Sequence, residues 1–190
     1  MRPATSSDDA DVRRVTRAAF GDEGDVITAI LRDLTAGELL RSSLVAGTDG
    51  EVVGHVALSH VWVDARDRLV DALVLSPLSV LPEHQGRGTG RSLVSAALAA
   101  ADGLGVPLVF LEGDPRYYGR LGFETARDRG FSPPSRRTPV GAFQVAVLSS
   151  WERSMVGAVV YPDVWWRHDA AGLRDPALAE LEEILGSWDD

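Results

Sequence analysis

The stretch Val80-Leu81-Pro82-Glu83-His84-Gln85-Gly86-Arg87-Gly88-Thr89-Gly90-Arg91 constrains this chain more than any other. An apolar run ends at Val80, a short polar turn follows, and glycines recur at Gly86, Gly88 and Gly90. Beyond them Leu93, Val94, Ala97, Leu98, Ala101 and Leu104 fall on one helical stripe. The pattern predicts a strand, a glycine loop and a helix N-terminus. The first turn of a helix carries backbone N–H groups without helical partners and the positive end of the macrodipole. Glycines let a ligand approach those groups without a Cβ in the way, which suits a phosphate or pyrophosphate. Arg87 and Arg91 add cations, so Gln85, Gly86, Arg87, Gly88, Thr89, Gly90 and Arg91 read as an anion cradle.

Two familiar cradles are excluded. A dinucleotide fingerprint needs a third glycine where Arg91 stands, and a P-loop string occurs nowhere in the chain. The glycines alone fit a plain structural turn as well as a ligand loop, so the surrounding pattern must decide.

The chain has 190 residues, 45% of them hydrophobic, which suits one globular domain with a full core. Cysteine is absent, excluding disulfides, thiolate metal sites and a cysteine nucleophile. No apolar run approaches the ~18 residues of a spanning helix, and the N-terminus lacks a signal-peptide core. A cytoplasmic location with no membrane partner is therefore expected. With 28 acidic and 19 basic residues the net charge is −9, which argues against nucleic acid as a partner.

In order, residues 2–4 suit a short strand, with Thr5, Ser6 and Ser7 as candidate caps. Val12, Val15, Ala19 and Phe20 mark one helix face, and Val26, Ile27, Ile30, Leu31 and Leu34 mark a second. Leu44–Ala46 and Val52–Val63 read as a hairpin turned at Asp49-Gly50, followed by a long strand Leu69–Leu81. Pro77 in that strand marks an edge or a bulge. Pro107–Leu111 is a short buried strand, so residues 69–111 form a βαβ unit with parallel strands. Asp114 and Pro115 open a short helix. Residues 127–141 look like a loop, Ala142–Leu148 a last core strand, and Met155–Tyr161 one more strand stopped by Pro162. Pro176 opens an amphipathic helix with Leu178, Leu181, Ile184 and Leu185 on one side.

Gln85, Gly88 and Gly90 match the acyl-CoA signature of the GNAT N-acetyltransferase superfamily: Gln or Arg, two residues, Gly, one residue, then Gly or Ala. Tyr118, Gly122 and Phe123 resemble its second signature, Tyr, three residues, Gly-Phe, and both occur in the family's order. The chain resembles this superfamily over residues 2–148, and its GDPRYYGRLGFE wording with Tyr161-Pro162 is similar to a bacterial subset of N-acetyltransferases. The resemblance implies an α/β fold with a mixed, mostly antiparallel sheet, a central splayed parallel strand pair and flanking helices. Residues 1–150 would be the acetyltransferase domain, with a strand and helix from 151–190 packed on it. Pro77 fits the splayed strand beside which the pantetheine arm lies in the family.

What the resemblance implies chemically is transfer from acetyl-CoA, as cosubstrate, to a primary amine of a small molecule or peptide. The cradle would take the pyrophosphate. Leu78, Ser79 and Val80 would offer backbone groups to pantetheine, and the Val80 N–H would face the thioester oxygen. Tyr118 would be the general acid, a phenol able to protonate a departing thiolate. Tyr117 reads as packing or substrate contact, and Arg120 as a phosphate contact or a solvated arginine. The proton acceptor stays open among His55, His60, Glu112, Asp114 and water, while His84 sits where it can touch phosphate. His55, His60, His84 and His168 have no metal-ligand spacing, so no metal is expected. Trp165-Trp166 suits either a homodimer contact or cover for the chain's own sheet edge. A binding module without turnover, or an enzyme taking another acyl-CoA with Arg136 and Arg137 meeting a second carboxylate, are the alternatives. The acceptor pocket carries no readable motif.

Overall fold

The computed structural model describes residues 1–185; Trp188, Asp189 and Asp190 lie outside the described residues. Its order begins β1 (Arg2–Pro3), α1 (Asp9–Phe20), α2 (Gly24–Ala36), β2 (Leu40–Thr48), β3 (Glu51–Ala65), β4 (Leu69–Val80) and α3 (Thr89–Gly103). It continues with β5 (Leu108–Glu112), α4 (Pro115–Tyr118), β6 (Glu124–Thr125), β7 (Phe143–Val147), β8 (Gly157–Val160), α5 (Asp163–Arg167) and α6 (Ala177–Leu185). Strand neighbours run β1-β2-β3-β4-β5-β7-β6, with β8 also on β3. The sheet is mostly antiparallel with one parallel pair, β4 and β5, and helices flank it. Among the described residues no helix is long and apolar enough to cross a membrane.

The chain divides into two compact units, one of Met1–Ser59 with Leu75–Leu104, the other of His60–Val74 with Gly105 onward. In the first, Asp8 organises the start of the helices. Its carboxylate takes both Arg2 guanidinium nitrogens at 2.6 and 2.7 Å and the Thr5 N–H at 2.8 Å. Those donors, Arg2 first, hold the Asp8 carboxyl well below the usual carboxylate range. The expected Asp49-Gly50 turn has both residues left-handed (φ 52° and 85°), the geometry that matches strand twist. It sets Val45 opposite His55 and Leu44 opposite Val56. Val15, Leu34, Val45, Val56, Leu58, Leu93, Val94 and Ala97 fill the core of this unit.

In the second unit β5 pairs antiparallel with β7, from Leu108↔Val147 to Glu112↔Phe143. Phe110 stacks on Phe143 at 5.5 Å and meets Phe131 edge-on at 5.1 Å, closing the core over that ladder. The parallel register of β4 and β5 consists of Leu73↔Val109 and Val74↔Phe110.

Several boundaries differ from the sequence reading. β2 begins at Leu40, four residues before the apolar Leu44–Ala46 run, because pairing with β3 recruits the polar Arg41, Ser42 and Ser43. Pro77 is not on an edge strand: β4 has β3 and β5 as neighbours, and Pro77 lies past the last register with β5. Residues 127–141 are not a solvated loop throughout. Ser132 bridges Ala158, and Phe131 and Thr138 are buried. In α6, Leu178, Leu181 and Leu185 are half-buried but Ile184 faces solvent.

Gly54 of β3 is where the strand meets the start of α3. A Cβ there would lie 2.9 Å from Leu93 Cδ1 and 3.3 Å from both Thr89 Cγ2 and the Ser79 carbonyl oxygen. Gly54→Val should destabilise the fold by about 1–3 kcal/mol through overpacking, read as a lowered Tm. An unchanged Tm would show that the strand and helix yield freely.

Candidate active site

The segment leaving β4 is held by its own backbone. The Leu81 N–H donates to the Val53 carbonyl at 2.9 Å, so strand alternation turns the N–H and C=O of Val80 away from β3. The Gln85 side-chain amide donates to that Val80 carbonyl at 3.0 Å, tying the loop to the strand end. Ser79 is fully buried with its Oγ 3.4 Å from Thr16 Oγ1, whereas Leu78 is half-buried. A tight turn Pro82–His84 follows, with the His84 N–H on the Leu81 carbonyl at 2.8 Å.

The loop then needs glycine twice. Gly86 (φ 71°) and Gly88 (φ 88°) are left-handed, and Gly88 caps α3. Space at both Cβ positions is open. The Ser92 N–H bonds the Gly88 carbonyl at 3.0 Å, leaving the Thr89, Gly90 and Arg91 N–H groups ahead of the first helical bond. Arg87 and Arg91 are exposed beside them. Arg87, Gly88, Thr89 and Ser92 line a depression of about 240 Å³ together with Met1 and Gly47. Gln85 through Arg91 thus share one turn, and their donor set fits a phosphate group.

The second unit positions Tyr118. Asp114 caps α4, accepting the Arg116 N–H at 2.8 Å, and its ion pair with Arg116 holds its carboxyl below the ordinary value. Tyr118 is half-buried, edge-on to Tyr117 at 4.9 Å and to Phe123 at 5.8 Å. Burial, then the neighbouring Tyr117, pushes its phenol up to about 12. Gly113 accommodates the ring: a Cβ there would lie 2.5 Å from Tyr118 Cε2. Gly122 (φ 93°) ends this turn, and the Phe123 N–H returns to the Tyr118 carbonyl at 3.3 Å. Tyr117 and Arg120 are exposed.

A family model described as an acetyltransferase (GNAT) domain matches residues 1–126. The chain belongs to the GNAT acetyltransferase family. It is 35% identical over 131 residues to an uncharacterized N-acetyltransferase of Escherichia coli, YjhQ, across 67% of this chain and 71% of that protein. The crystal structure of the Escherichia coli GNAT N-acetyltransferase YhbS in complex with CoA superposes with a TM-score of 0.79 at 30% identity, covering 87% and 91% of the two chains. A Brucella melitensis GNAT acetyltransferase in complex with acetyl-CoA gives 0.69 at 32%, covering 86% and 96%.

The candidate proton acceptors of this GNAT chain differ sharply in their surroundings. His60 is buried with its Nε2 2.8 Å from Asp71 Oδ1 and its ring edge-on to Trp62. His55 is buried with its Nε2 2.9 Å from Ser43 Oγ, and burial pushes its ring down to about 4. Glu112 ends β5 and reaches solvent, yet protein crowds its carboxyl. That crowding pushes it up to about 7, against the opposing influence of Thr138, Tyr161 and the charge of Arg137. Thr138 and Tyr161 are the neighbours that sequence reasoning missed; the Tyr161-Pro162 pair was visible, but not its place beside Glu112. Arg137 is half-buried and ion-paired with Asp169 at 3.1 Å, while Arg136 is exposed. Trp165 is buried against Tyr161 at 5.5 Å, and Trp166 is 45% exposed. Among the described residues no group of His, Asp or Glu is placed to hold a metal ion.

The His55 environment gives a sign-definite pH effect. Above the ordinary value of 6.5 the ring is neutral folded and unfolded; from there down to about 4 only the unfolded chain takes the proton. Stability should therefore decrease as pH is lowered across that window, by at most about 1.4 kcal/mol per pH unit from this group. His55→Gln should show a shallower fall in Tm over the same window. Parallel curves would mean that the folded chain protonates His55 freely.

Proposed function

We propose that the protein transfers the acetyl group of acetyl-CoA to a primary amine of a small molecule or peptide, by direct attack in a ternary complex. The observation that carries this reading is the continuous segment Leu78–Arg91. It ends a strand with outward-turned backbone groups and opens a helix with three N–H groups behind two left-handed glycines. The CoA and acetyl-CoA complexes of the two structural relatives support it.

The residues divide the work as follows. The N–H groups of Thr89, Gly90 and Arg91 meet the pyrophosphate, Gly86 and Gly88 keep the approach open, and Arg87 and Arg91 supply charge. Gln85 acts on the loop, holding it to Val80. Backbone groups of Leu78 and Val80 meet the pantetheine amides, with Ser79 anchoring the strand between them. The Val80 N–H faces the thioester oxygen, where negative charge develops as the amine nitrogen attacks the carbonyl carbon. The C–S bond then breaks, and Tyr118 meets the leaving sulfur. A phenol near 12 is a weaker acid than a thiol at ~8.5. It therefore serves first as a hydrogen-bond donor, and its proton moves as charge builds on sulfur.

The test is thiol release from acetyl-CoA against a panel of primary amines, run beside Tyr118→Phe. One amine class should give turnover, with kcat lowered about 10²-fold in the variant and the KM for acetyl-CoA within about twofold. Tight acetyl-CoA binding with no thiol from any amine would instead make this a binding module.

A further inference from the structure

We propose that Glu112 takes the proton from the acceptor's ammonium group, and that Tyr161, Thr138 and Arg137 hold its carboxylate for that task. The proposal rests on the transferase reading above. The three neighbours lie beyond residues 1–126, the segment that the family model matches.

Geometry sets Glu112 apart from the other candidates. It is the last residue of β5, opposite Phe143 of β7. The next residue is pinned on both sides. The Gly113 N–H donates to the Ala142 carbonyl at 2.9 Å, and the buried Gln144 amide donates to the Gly113 carbonyl at 2.9 Å. The chain then turns into α4, which carries Tyr118. Glu112 therefore leaves a fixed strand end at the head of the segment that bears the proposed acid, and it remains open to solvent.

Its carboxylate is surrounded by groups with little other freedom. Tyr161 is buried at 5% exposure, with its hydroxyl 3.5 Å from Glu112 Oε1 and its ring against Trp165. The buried Thr138 stands beside the carboxylate and favours its charged form. Arg137 supplies a positive charge that is shared with Asp169, which also binds Arg174 at 2.6 and 3.0 Å. The loop is fixed in turn: the Leu173 N–H donates to the Arg137 carbonyl at 2.8 Å, and Gly172 packs on Arg137 so closely that a Cβ would lie 2.6 Å from its carbonyl carbon. Asp114 on the neighbouring segment is spent on Arg116.

The proton balance is simple. An alkylammonium with a pKa near ~10 gives one proton to Glu112, leaving a neutral amine and a carboxylic acid. The amine lone pair then attacks the thioester, the C–S bond breaks and the sulfur takes the Tyr118 proton. The second proton of the amide nitrogen restores the Tyr118 phenol, and Glu112 returns its proton to water after the products leave. A carboxylate at its ordinary 4.5 would be a feeble acceptor, and one raised to about 7 is still partly ionised at neutral pH while binding the proton far better.

Two measurements test this on the full chain. In the first, Glu112 is observed by carbon NMR of labelled glutamate carboxyls, assigned by its loss in Glu112→Gln. It should titrate near 7, and in Tyr161→Phe the midpoint should move up, since a donor to the carboxylate is gone. Titration at the ordinary value overturns the proposal whether or not the protein turns over. In the second, kcat/KM for the amine is followed against pH at saturating acetyl-CoA. Wild type should lose rate on the acid side with a midpoint near 7. Glu112→Gln should lose about 10²-fold at pH 7, with rate returning only as free amine appears at high pH, and with acetyl-CoA affinity within twofold. Tyr161→Phe should keep turnover and shift the acid limb upward; if it fails to fold, Arg137→Gln reads the same shift from a half-buried position. An unchanged rate and acid limb in Glu112→Gln overturn the base assignment while the transferase stands. If wild type binds acetyl-CoA but turns over no amine, the base assignment falls with the transferase reading.

Discussion

A backbone N–H or C=O inside a protein has to find a partner, and a strand that stops pairing leaves such groups to be met by something else. β4 pairs with β5 at Leu73↔Val109 and Val74↔Phe110, yet the strand continues to Val80. The rest of the architecture follows that constraint. The Leu81 N–H stays on β3, which fixes Val80 in the opposite sense, and the Gln85 amide takes the Val80 carbonyl. The same amide holds the loop in which Gly86 and Gly88 turn left-handed, and those turns set the direction in which α3 begins. Strand end, loop and helix start are therefore one hydrogen-bonded device rather than three adjacent parts.

Loss of hydration acts on several titratable groups here, and its outcome depends on what replaces the water. His55 loses hydration and gains one hydroxyl contact, so its charged form is disfavoured. Glu112 is crowded and its charged form is likewise disfavoured, which for an acid is the opposite direction. Asp8 and Asp114 gain arginine and backbone donors instead, and both are held ionised. The two aspartates held ionised sit at helix starts. Glu112, pushed the other way, stands open to solvent.

Much of this was legible in the sequence where a local rule had a single solution. Gly86 and Gly88 announced a loop, Asp49-Gly50 announced a tight hairpin, and the stripes of α1, α2 and α3 announced their buried faces, except that Val26 and Leu104 face solvent at the ends of theirs. Asp114-Pro115 announced a capped turn, and the cap is there. The misses are all places where a distant segment decides. Arg41, Ser42 and Ser43 carry no strand signal of their own and become strand because β3 lies beside them. The Pro- and Arg-rich 127–141 segment looked solvated, yet Thr138 is buried and Arg137 is held by residues 169–173. The glycine loop and helix start were readable because consecutive residues make them. The surroundings of Glu112 were not, because they come from β5, the 137–138 turn and Tyr161, brought together only by folding.

The packing of Gly172 on Arg137 carries a practical consequence for anyone dividing this protein by similarity. A piece cut at residue 150 would keep both family signatures, the glycine loop and Tyr118. It would lose Tyr161 and the 169–173 segment that restrains Arg137. Such a piece would still look like a whole acetyltransferase in an alignment. The carboxylate at the end of β5 would meet water where it now meets a buried phenol, so boundary choice would alter its chemistry without touching a motif residue.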